Sequence, residues 1–189
     1  KICKLFGKKY GLMVNSGSSA NLLAISSLNL KKGSEIITPN LTFSTTVAPI
    51  IQLGLVPYFI GVEENKFIAE VSHIKKCINS KTKAIMIPNL LGNIADWKKI
   101  SSIAKKYKLY VIEDSADTIG YTLNRKNTGN FSDIVTNSFY ASHIINGAGT
   151  GGMVCFNNYK FYQKAKLLRG WGRSSATFNE SENIKKRFN

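Results

Sequence analysis

Two patterns of hydrophobic and polar positions alternate along the chain. Short apolar runs bounded by glycine, proline or polar residues are typical of buried strands, and apolar residues three or four positions apart are typical of helices. The predicted strands are EIITP, VPYFIGV, KAIMIP, LYVIED, IVTNSFY and GMVCF. The predicted helices are SGSSANLLAISSL, VSHIKKCI, DWKKISSIAKKYK and NYKFYQKAKLLRGWG, with a helix-like opening run, KICKLFGKKYG, and a helix STTVAPIIQLG that we expect Pro49 to interrupt.

The helix DWKKISSIAKKYK has the clearest periodicity. Its apolar residues fall on one stripe and its lysines on the opposite side, which is the pattern of a helix lying on a core. The residues of that stripe are Trp97, Ile100, Ile103, Ala104 and Tyr107.

Strands that alternate with helices predict a three-layer α/β domain, with a mostly parallel sheet covered on both faces. In such sheets ligands bind outside the carboxyl ends of the strands. Residues at strand ends and in the adjoining turns are therefore the first candidates for a functional site.

Composition narrows the class of protein only slightly. The formal charge of +15 could indicate nucleic-acid binding, but the lysines are dispersed, and no nucleic-acid-binding motif or zinc-finger spacing is present. Cys3, Cys77 and Cys155 are far apart and form no CxxC pair, so we expect free thiols in a reducing compartment. No segment has the pattern of a membrane span or a signal peptide, and the cytoplasm is the default expectation.

A small, polar turn opens the helix SGSSANLLAISSL. The backbone N–H groups and hydroxyls of Gly17, Ser18 and Ser19 suit a phosphate at a helix N-terminus, although a plain helix cap would look the same. The turn is not a P-loop, because its lysine is absent, and the chain contains no GxGxxG.

Three further candidates lie at strand ends or in turns. Asp114, preceded by Glu113, could pair with a cationic ring nitrogen or a metal, or could simply cap the next turn. Phe43 could stack on a flat cofactor, but such residues more often belong to the core. His143, in SFYASHIINGAGTGGMV, is one of two histidines, and a lone histidine is more often a surface or core residue than a functional one.

The order of these candidate motifs along the chain is more specific for a protein family than any single motif. The chain resembles the DegT/DnrJ/EryC1/StrS sugar aminotransferase family over nearly its whole length. The segments that carry the resemblance are, in order, NSGSSANLLAI, TPNLTFSTTVAPIIQLGLVPYFIGV, LGN, VIEDSADTIG and SFYASHIINGAGTGGMV. The resemblance implies a type I pyridoxal-phosphate fold. It also implies that residues 1–189 are part of the cofactor-binding large domain, with an N-terminal piece and a C-terminal small domain outside this sequence.

The resemblance assigns a role to each candidate. Gly17, Ser18 and Ser19 match the turn that binds the cofactor phosphate, and Ser138 matches a second phosphate contact. Phe43 matches the aromatic residue that stacks on the pyridine ring. Asp114 matches the carboxylate that keeps the ring nitrogen protonated, which makes the ring a better electron sink.

His143 stands where the aminotransferases of this family have the lysine that binds the cofactor covalently. Imidazole cannot form that bond but can transfer protons near neutral pH. The nucleotide-sugar 3-dehydratases of the family share this replacement. The resemblance therefore implies C3 dehydration of a nucleotide-linked 4-keto-6-deoxyhexose by non-covalently bound pyridoxal or pyridoxamine phosphate, in deoxysugar and lipopolysaccharide O-antigen biosynthesis, with His143 as the base.

Some positions depart from the family patterns. Ala116, Ser175 and Thr177 replace the cysteines of the cluster-bearing branch, so we expect no iron–sulfur cluster. Ile144 follows His143 in place of a second histidine. A sugar aminotransferase-like protein, an inactive relative that only binds cofactor, and a basic binding protein remain alternatives. The family also implies a homodimer. We expect no nucleic-acid partner, no membrane partner and no metal.

Overall fold

The computed structural model describes residues 1–173, which contain one seven-stranded sheet with helices on both faces. The strands are β1 (Tyr10–Val14), β2 (Glu35–Pro39), β3 (Val56–Ile60), β4 (Thr82–Pro88), β5 (Tyr110–Asp114), β6 (Thr122–Leu123), β7 (Lys126–Asn127), β8 (Ile134–Ser138) and β9 (Gly152–Phe156). The helices are α1 (Ile2–Leu5), α2 (Gly17–Leu28), α3 (Ser44–Gln52), α4 (Val71–Cys77), α5 (Trp97–Tyr107) and α6 (Tyr159–Arg169).

The strand order of the large sheet is β1-β9-β8-β5-β4-β2-β3, and β6 and β7 form a separate hairpin. Five neighbouring strands, from β8 to β3, are parallel. Strand β9 runs antiparallel to both β8 and β1, so β1 points in the same direction as the parallel strands. The carboxyl ends of six strands and the start of β9 therefore share one edge of the sheet. The predicted three-layer, mostly parallel α/β architecture is confirmed.

Both faces of the sheet are buried, because successive residues of a strand point to opposite sides. Ile36 and Met86 belong to the core that contains α2, α3 and α6. Their neighbours Ile37 and Ile87 belong to a second core, which contains α4 and α5. This double burial explains why the central strands are continuous apolar runs rather than alternating ones.

The helix α3 continues through Pro49, so the predicted interruption is wrong. Proline has no N–H to donate to the carbonyl four residues earlier, which in α3 belongs to Thr45. The side-chain amide of Asn21, from α2, donates to that carbonyl instead (Nδ2 to O, 3.1 Å). A tertiary hydrogen bond thus replaces the backbone hydrogen bond that proline removes.

Two other expectations need correction. The opening run was predicted to be helix-like, but α1 ends at Leu5 and Tyr10–Val14 is a strand that pairs with β9. Met13 is exposed, and β1 is an edge strand, which weakens the burial pattern that would have revealed it. Tyr107, at the end of α5, is 40% exposed, although the other four residues of its predicted stripe are buried.

Ser175 and Thr177, two of the three residues that replace cysteines of the cluster-bearing branch, lie outside the described residues. Within residues 1–173, no helix is both long and apolar enough to cross a membrane.

Candidate active site

Residues that follow five different strands line one cavity of about 500 Å³ at the shared edge of the sheet. They come from the turn after β1, the start of α3, the turn after β4, the end of β5 and the loop after β8. The lining includes six of the seven predicted site residues: Gly17, Ser18, Phe43, Asp114, Ser138 and His143. The strand-end rule thus located the cavity correctly.

Ser19 is the predicted site residue that does not line this cavity. Its backbone N–H donates to the hydroxyl oxygen of Ser16, the N-cap of α2 (3.1 Å), and its own hydroxyl accepts a hydrogen bond from Ser16 Oγ (3.2 Å). Ser19 therefore belongs to the helix cap, and its N–H is already used. Gly17 and Ser18, in the first turn, line the cavity, and their N–H groups have no acceptor within the helix.

Close packing makes glycine necessary at position 17. A Cβ atom there would lie 2.7 Å from the Cβ of Ser138, at the end of β8. The absence of a side chain brings the start of α2 against the Ser138 hydroxyl. Two backbone N–H groups and one hydroxyl are thus concentrated at a positive helix end, which suits a phosphate.

The loop that carries His143 is fastened at both ends. The N–H of Phe139 donates to the carbonyl of Gly151 (2.9 Å), and the N–H of Gly147 donates to the carbonyl of Phe139 (2.8 Å). At its far end, Thr150 Oγ1 donates to the carbonyl of Asn15 (2.8 Å), and Gly151 forms a bridge with Ser16. The loop after β8 and the turn after β1 are therefore one connected unit.

The carboxylate of Asp114 lies at the base of the cavity and is only 6% exposed. Its Oδ2 accepts hydrogen bonds from Asn21 Nδ2 and Thr46 Oγ1, both 2.9 Å long, and its Oδ1 accepts one from the N–H of Ala116 (3.2 Å). Asn21 is held in turn by Thr136 Oγ1, which donates to its Oδ1 (2.6 Å). None of the ion pairs within residues 1–173 involves Asp114.

Burial raises the pKa of Asp114, and the hydrogen bonds from Asn21, Thr46 and Ala116 oppose this rise. A buried carboxylate that has hydrogen-bond donors but no neighbouring cation is well suited to a ligand that brings a positive charge.

Glu113 points to the opposite face of the sheet and is fully buried. Asn89 Nδ2 and Ser115 Oγ donate to its Oε1 (3.1 and 2.8 Å), and the Asn89 Oδ1 accepts from Trp97 Nε1 (2.8 Å). Burial raises the pKa of Glu113, and the charge of Lys8 is among the effects that oppose the rise. This network fixes the ends of β4 and β5 behind the cavity. The hydrogen bonds of Glu113 therefore support the fold.

His143 is partly buried in the cavity wall. Its backbone N–H donates to the carbonyl of Tyr140 (2.9 Å), and the two rings meet edge to face with centroids 6.0 Å apart. Its Nε2 lies 3.7 Å from Oδ1 of Asp117, and its Nδ1 is buried with no hydrogen-bond partner in the described part of the chain.

Phe43 precedes α3 at its N-cap position without a side-chain capping bond, and it is 67% exposed at the cavity. It is not a core residue, which was the alternative that the sequence left open. An exposed aromatic face at a cavity rim can cover one side of a flat ring.

Sequence reasoning missed four residues of this site: Asn21, Thr46, Asn89 and Asp117. Asn21 had a detectable signal, because it is a polar residue on the otherwise apolar stripe of α2 formed by Ala20, Ala24 and Leu28. Thr46, Asn89 and Asp117 gave no such signal, since their partners are distant in sequence or lie in irregular turns.

The chain belongs to the DegT/DnrJ/EryC1/StrS aminotransferase family, which it matches over residues 1–187. It is 40% identical over 181 residues to a dTDP-4-dehydro-2,6-dideoxy-D-glucose 3-dehydratase of Saccharopolyspora spinosa, covering 92% of this chain. It is also 35% identical over 164 residues to a GDP-perosamine synthase of Vibrio cholerae, covering 87% of this chain.

A solved structure similar to this fold is E. coli GDP-4-keto-6-deoxy-D-mannose-3-dehydratase with bound hydrated pyridoxal phosphate. The TM-score is 0.81 at 37% identity, over 88% of this chain and 43% of that one. The chain spans 39% of the Saccharopolyspora relative and 44% of the Vibrio relative. The family is therefore shown, together with its type I pyridoxal-phosphate fold, and its members similar to this chain include both dehydratases and enzymes of other kinds.

The raised pKa of Asp114 gives a prediction for the ligand-free protein. A carboxyl whose pKa is higher in the folded than in the unfolded state binds more protons when folded, so stability falls as pH rises from about 4 through the raised pKa. We expect Asp114→Asn to make this decline shallower, by at most about 1.4 kcal/mol per pH unit for one proton.

Thr46→Val provides the matched test of opposite sign. It removes a hydrogen bond that lowers the pKa of Asp114, so we expect the decline to extend to higher pH. The measurement is the free energy of unfolding in denaturant across this pH range. Identical pH dependence in wild type and both variants would contradict the role of burial at Asp114.

Proposed function

We propose that this chain carries the cofactor site of a nucleotide-sugar 3-dehydratase that uses pyridoxal or pyridoxamine phosphate without a covalent link. The reaction is removal of the C3 hydroxyl from a nucleotide-linked 4-keto-6-deoxyhexose, in the biosynthesis of deoxysugars for lipopolysaccharide O-antigens. The observation that carries the proposal is that His143 lines the cavity, whereas no lysine of the described residues does.

The cavity fits the proposed cofactor at three points. The close approach of Gly17 to Ser138 leaves a cradle of N–H and hydroxyl donors for the phosphate. Asp114 offers a buried carboxylate, with no cation beside it in residues 1–173, to a protonated ring nitrogen. Phe43 offers an exposed aromatic face to the ring.

When bound, pyridoxamine phosphate supplies an amine that reacts with the sugar ketone and a ring system that accepts electrons during loss of the C3 hydroxyl. Gly17, Ser18 and Ser138 hold the phosphate and so fix the position of the ring. Asp114 keeps a proton on the ring nitrogen, and that cation in turn lowers the pKa of the carboxyl that burial had raised. His143 accepts and returns a proton at its imidazole nitrogen, which is the role for which imidazole is suited near neutral pH.

An iron–sulfur cluster has no part in this proposal. Ala116, which lines the cavity, replaces a cysteine of the cluster-bearing branch, and alanine cannot ligate iron. In the branch of the reaction that needs no cluster, the cofactor regains its amine from an amino donor such as glutamate.

A sugar aminotransferase is the second candidate function. It is supported by the similarity to the GDP-perosamine synthase of Vibrio cholerae. The position of His143 argues against it, because imidazole cannot take over the covalent role of the lysine. A relative that binds cofactor without catalysis is the third outcome that the experiment distinguishes.

The test is the turnover of His143→Asn in the complete protein. Asn has a similar size but cannot accept and release a proton at neutral pH, so we expect C3 elimination to fall by about 10²–10⁴-fold. The binding of pyridoxamine phosphate should persist, because its proposed contacts are elsewhere. The assay follows loss of the C3 hydroxyl from the sugar nucleotide by mass.

His73→Asn is the matched control, because His73 is the other histidine and lies exposed on α4. It should keep wild-type turnover. His143→Lys should allow a covalent link to pyridoxal phosphate that borohydride traps. Wild-type turnover in His143→Asn would exclude His143 as the base. Amine transfer to C4 by the wild-type protein would favour the aminotransferase. Cofactor binding without either reaction would favour the inactive relative.

We also propose that the complete protein is a homodimer and that residues 1–189 are part of its large cofactor-binding domain, beside a C-terminal small domain and a short N-terminal piece. Exposed apolar side chains support the dimer: Phe43 and Leu91, which line the cavity, and Ile144, which follows His143, are all more than half exposed. Sedimentation velocity of the complete protein should give the mass of a dimer, and a monomer at micromolar concentration would contradict it.

A further inference from the structure

The imidazole of His143 faces the carboxylate of Asp117. The distance from Nε2 to Oδ1 is 3.7 Å, which is longer than a hydrogen bond and within ion-pair range of a protonated imidazole, and both side chains are partly buried. Hydrogen bonds of catalytic groups are often long in ligand-free proteins and shorten in the complex.

Asp117 is itself held in place by the backbone. Its Oδ2 accepts a hydrogen bond from the N–H of Leu91 (2.8 Å), and Leu91 has a left-handed backbone conformation in the turn after β4 (φ 55°). One carboxylate oxygen is thus fixed by the turn, and the other remains directed at the imidazole.

The charge of Asp117 has no competing partner within residues 1–173. No lysine or arginine of that segment lies within 4.0 Å of its oxygens, and His143 is the basic side chain that it meets. One oxygen of Asp117 thus serves the fold through the Leu91 N–H, and the other oxygen faces His143.

The two nitrogens of His143 have different surroundings. Nε2 faces a negative carboxylate, which favours a proton on that nitrogen, whereas Nδ1 is buried and has no hydrogen-bond partner in residues 1–173. In the neutral ring only one nitrogen carries a proton, and the group beside it determines which. The carboxylate thus selects the Nε2–H form, in which Nδ1 carries no proton.

We propose that Asp117 is a positioning residue for His143: it orients the imidazole and fixes the Nε2–H tautomer of the neutral ring. This inference rests on the proposed function of His143 as the base. A carboxylate that orients a catalytic imidazole and sets its tautomer is a recurrent arrangement in proton-transfer sites.

The direct test is the tautomer itself, read from long-range ¹H–¹⁵N correlations of the imidazole in the complete protein, with ¹⁵N-labelled histidine and at an alkaline pH where the ring is neutral. The chain contains two histidines, so His73→Gln assigns the spectrum. We expect the Nε2–H pattern for His143 in wild type. In Asp117→Asn the carbonyl oxygen can still accept from Leu91 N–H, and the amide group then donates toward Nε2, so the Nδ1–H pattern should appear.

The second readout is the turnover kinetics of the complete protein with bound pyridoxamine phosphate. Asp117→Asn should lower kcat by about 10–100-fold, the usual effect of removing a group that orients a catalytic ligand, with KM within about twofold of wild type. Asp117→Glu should recover part of the kcat, because it restores the charge. Asp133→Asn is the matched control, since Asp133 is an exposed carboxylate that also accepts a backbone hydrogen bond (from Val111 N–H, 2.8 Å) but is not part of the cavity lining.

The outcomes separate this inference from the proposed function. An Nδ1–H ring in wild type, or an unchanged tautomer and kcat in Asp117→Asn, would overturn the role of Asp117 even if His143→Asn abolished elimination. Full elimination in His143→Asn would instead overturn the proposed function. A loss of kcat in Asp133→Asn equal to that in Asp117→Asn would show a general structural effect and would also count against the inference.

Discussion

The structure depends on keeping one carboxylate, that of Asp114, buried at the end of a central strand. Such a group is unfavourable unless every oxygen has donors. The donors come from α2, from α3 and from the turn after β5, so two helices and one strand are held together by the same carboxylate. The positive charge that would complete this environment is absent from the described residues around it, and we infer that a ligand brings it.

Asn21 couples this requirement to the fold. Its amide donates both to Asp114 and to the carbonyl of Thr45, the acceptor that Pro49 leaves without a backbone donor. The proline in α3 and the asparagine in α2 therefore compensate for each other. One side chain stabilises an irregular helix and orients a carboxylate of the candidate site.

The strand directions explain why the other groups meet Asp114. Because β9 is antiparallel to both of its neighbours, the turn after β1 lies at the same edge as the ends of β4, β5 and β8. Gly17 and Ser138, more than a hundred residues apart in sequence, are then close enough to exclude a Cβ atom. The loop with His143 is fastened to the same turn by Thr150.

Much of the fold and of the candidate site could be predicted from sequence wherever the hydrophobic pattern or the motif was local. Continuous apolar runs such as KAIMIP identified the buried strands. Asp114 and His143, singled out near strand ends, and Gly17, singled out at a helix N-terminus, all line one cavity. Strand β1 was missed because an edge strand with an exposed Met13 lacks a clear burial pattern. The cap that uses the Ser19 N–H is local, and the sequence left it open as an alternative to phosphate binding. Asp117 could not be predicted, because its contact with His143 joins two turns that are distant in sequence.

The most direct test of the account is a crystal structure of the complete protein with pyridoxamine phosphate. The account predicts that the ring nitrogen lies within hydrogen-bond distance of Asp114, that the phosphate contacts the N–H groups of Gly17 and Ser18 and the hydroxyl of Ser138, and that no lysine is linked to the cofactor. A cofactor bound with its phosphate away from Gly17, or with its ring nitrogen away from Asp114, would contradict the account.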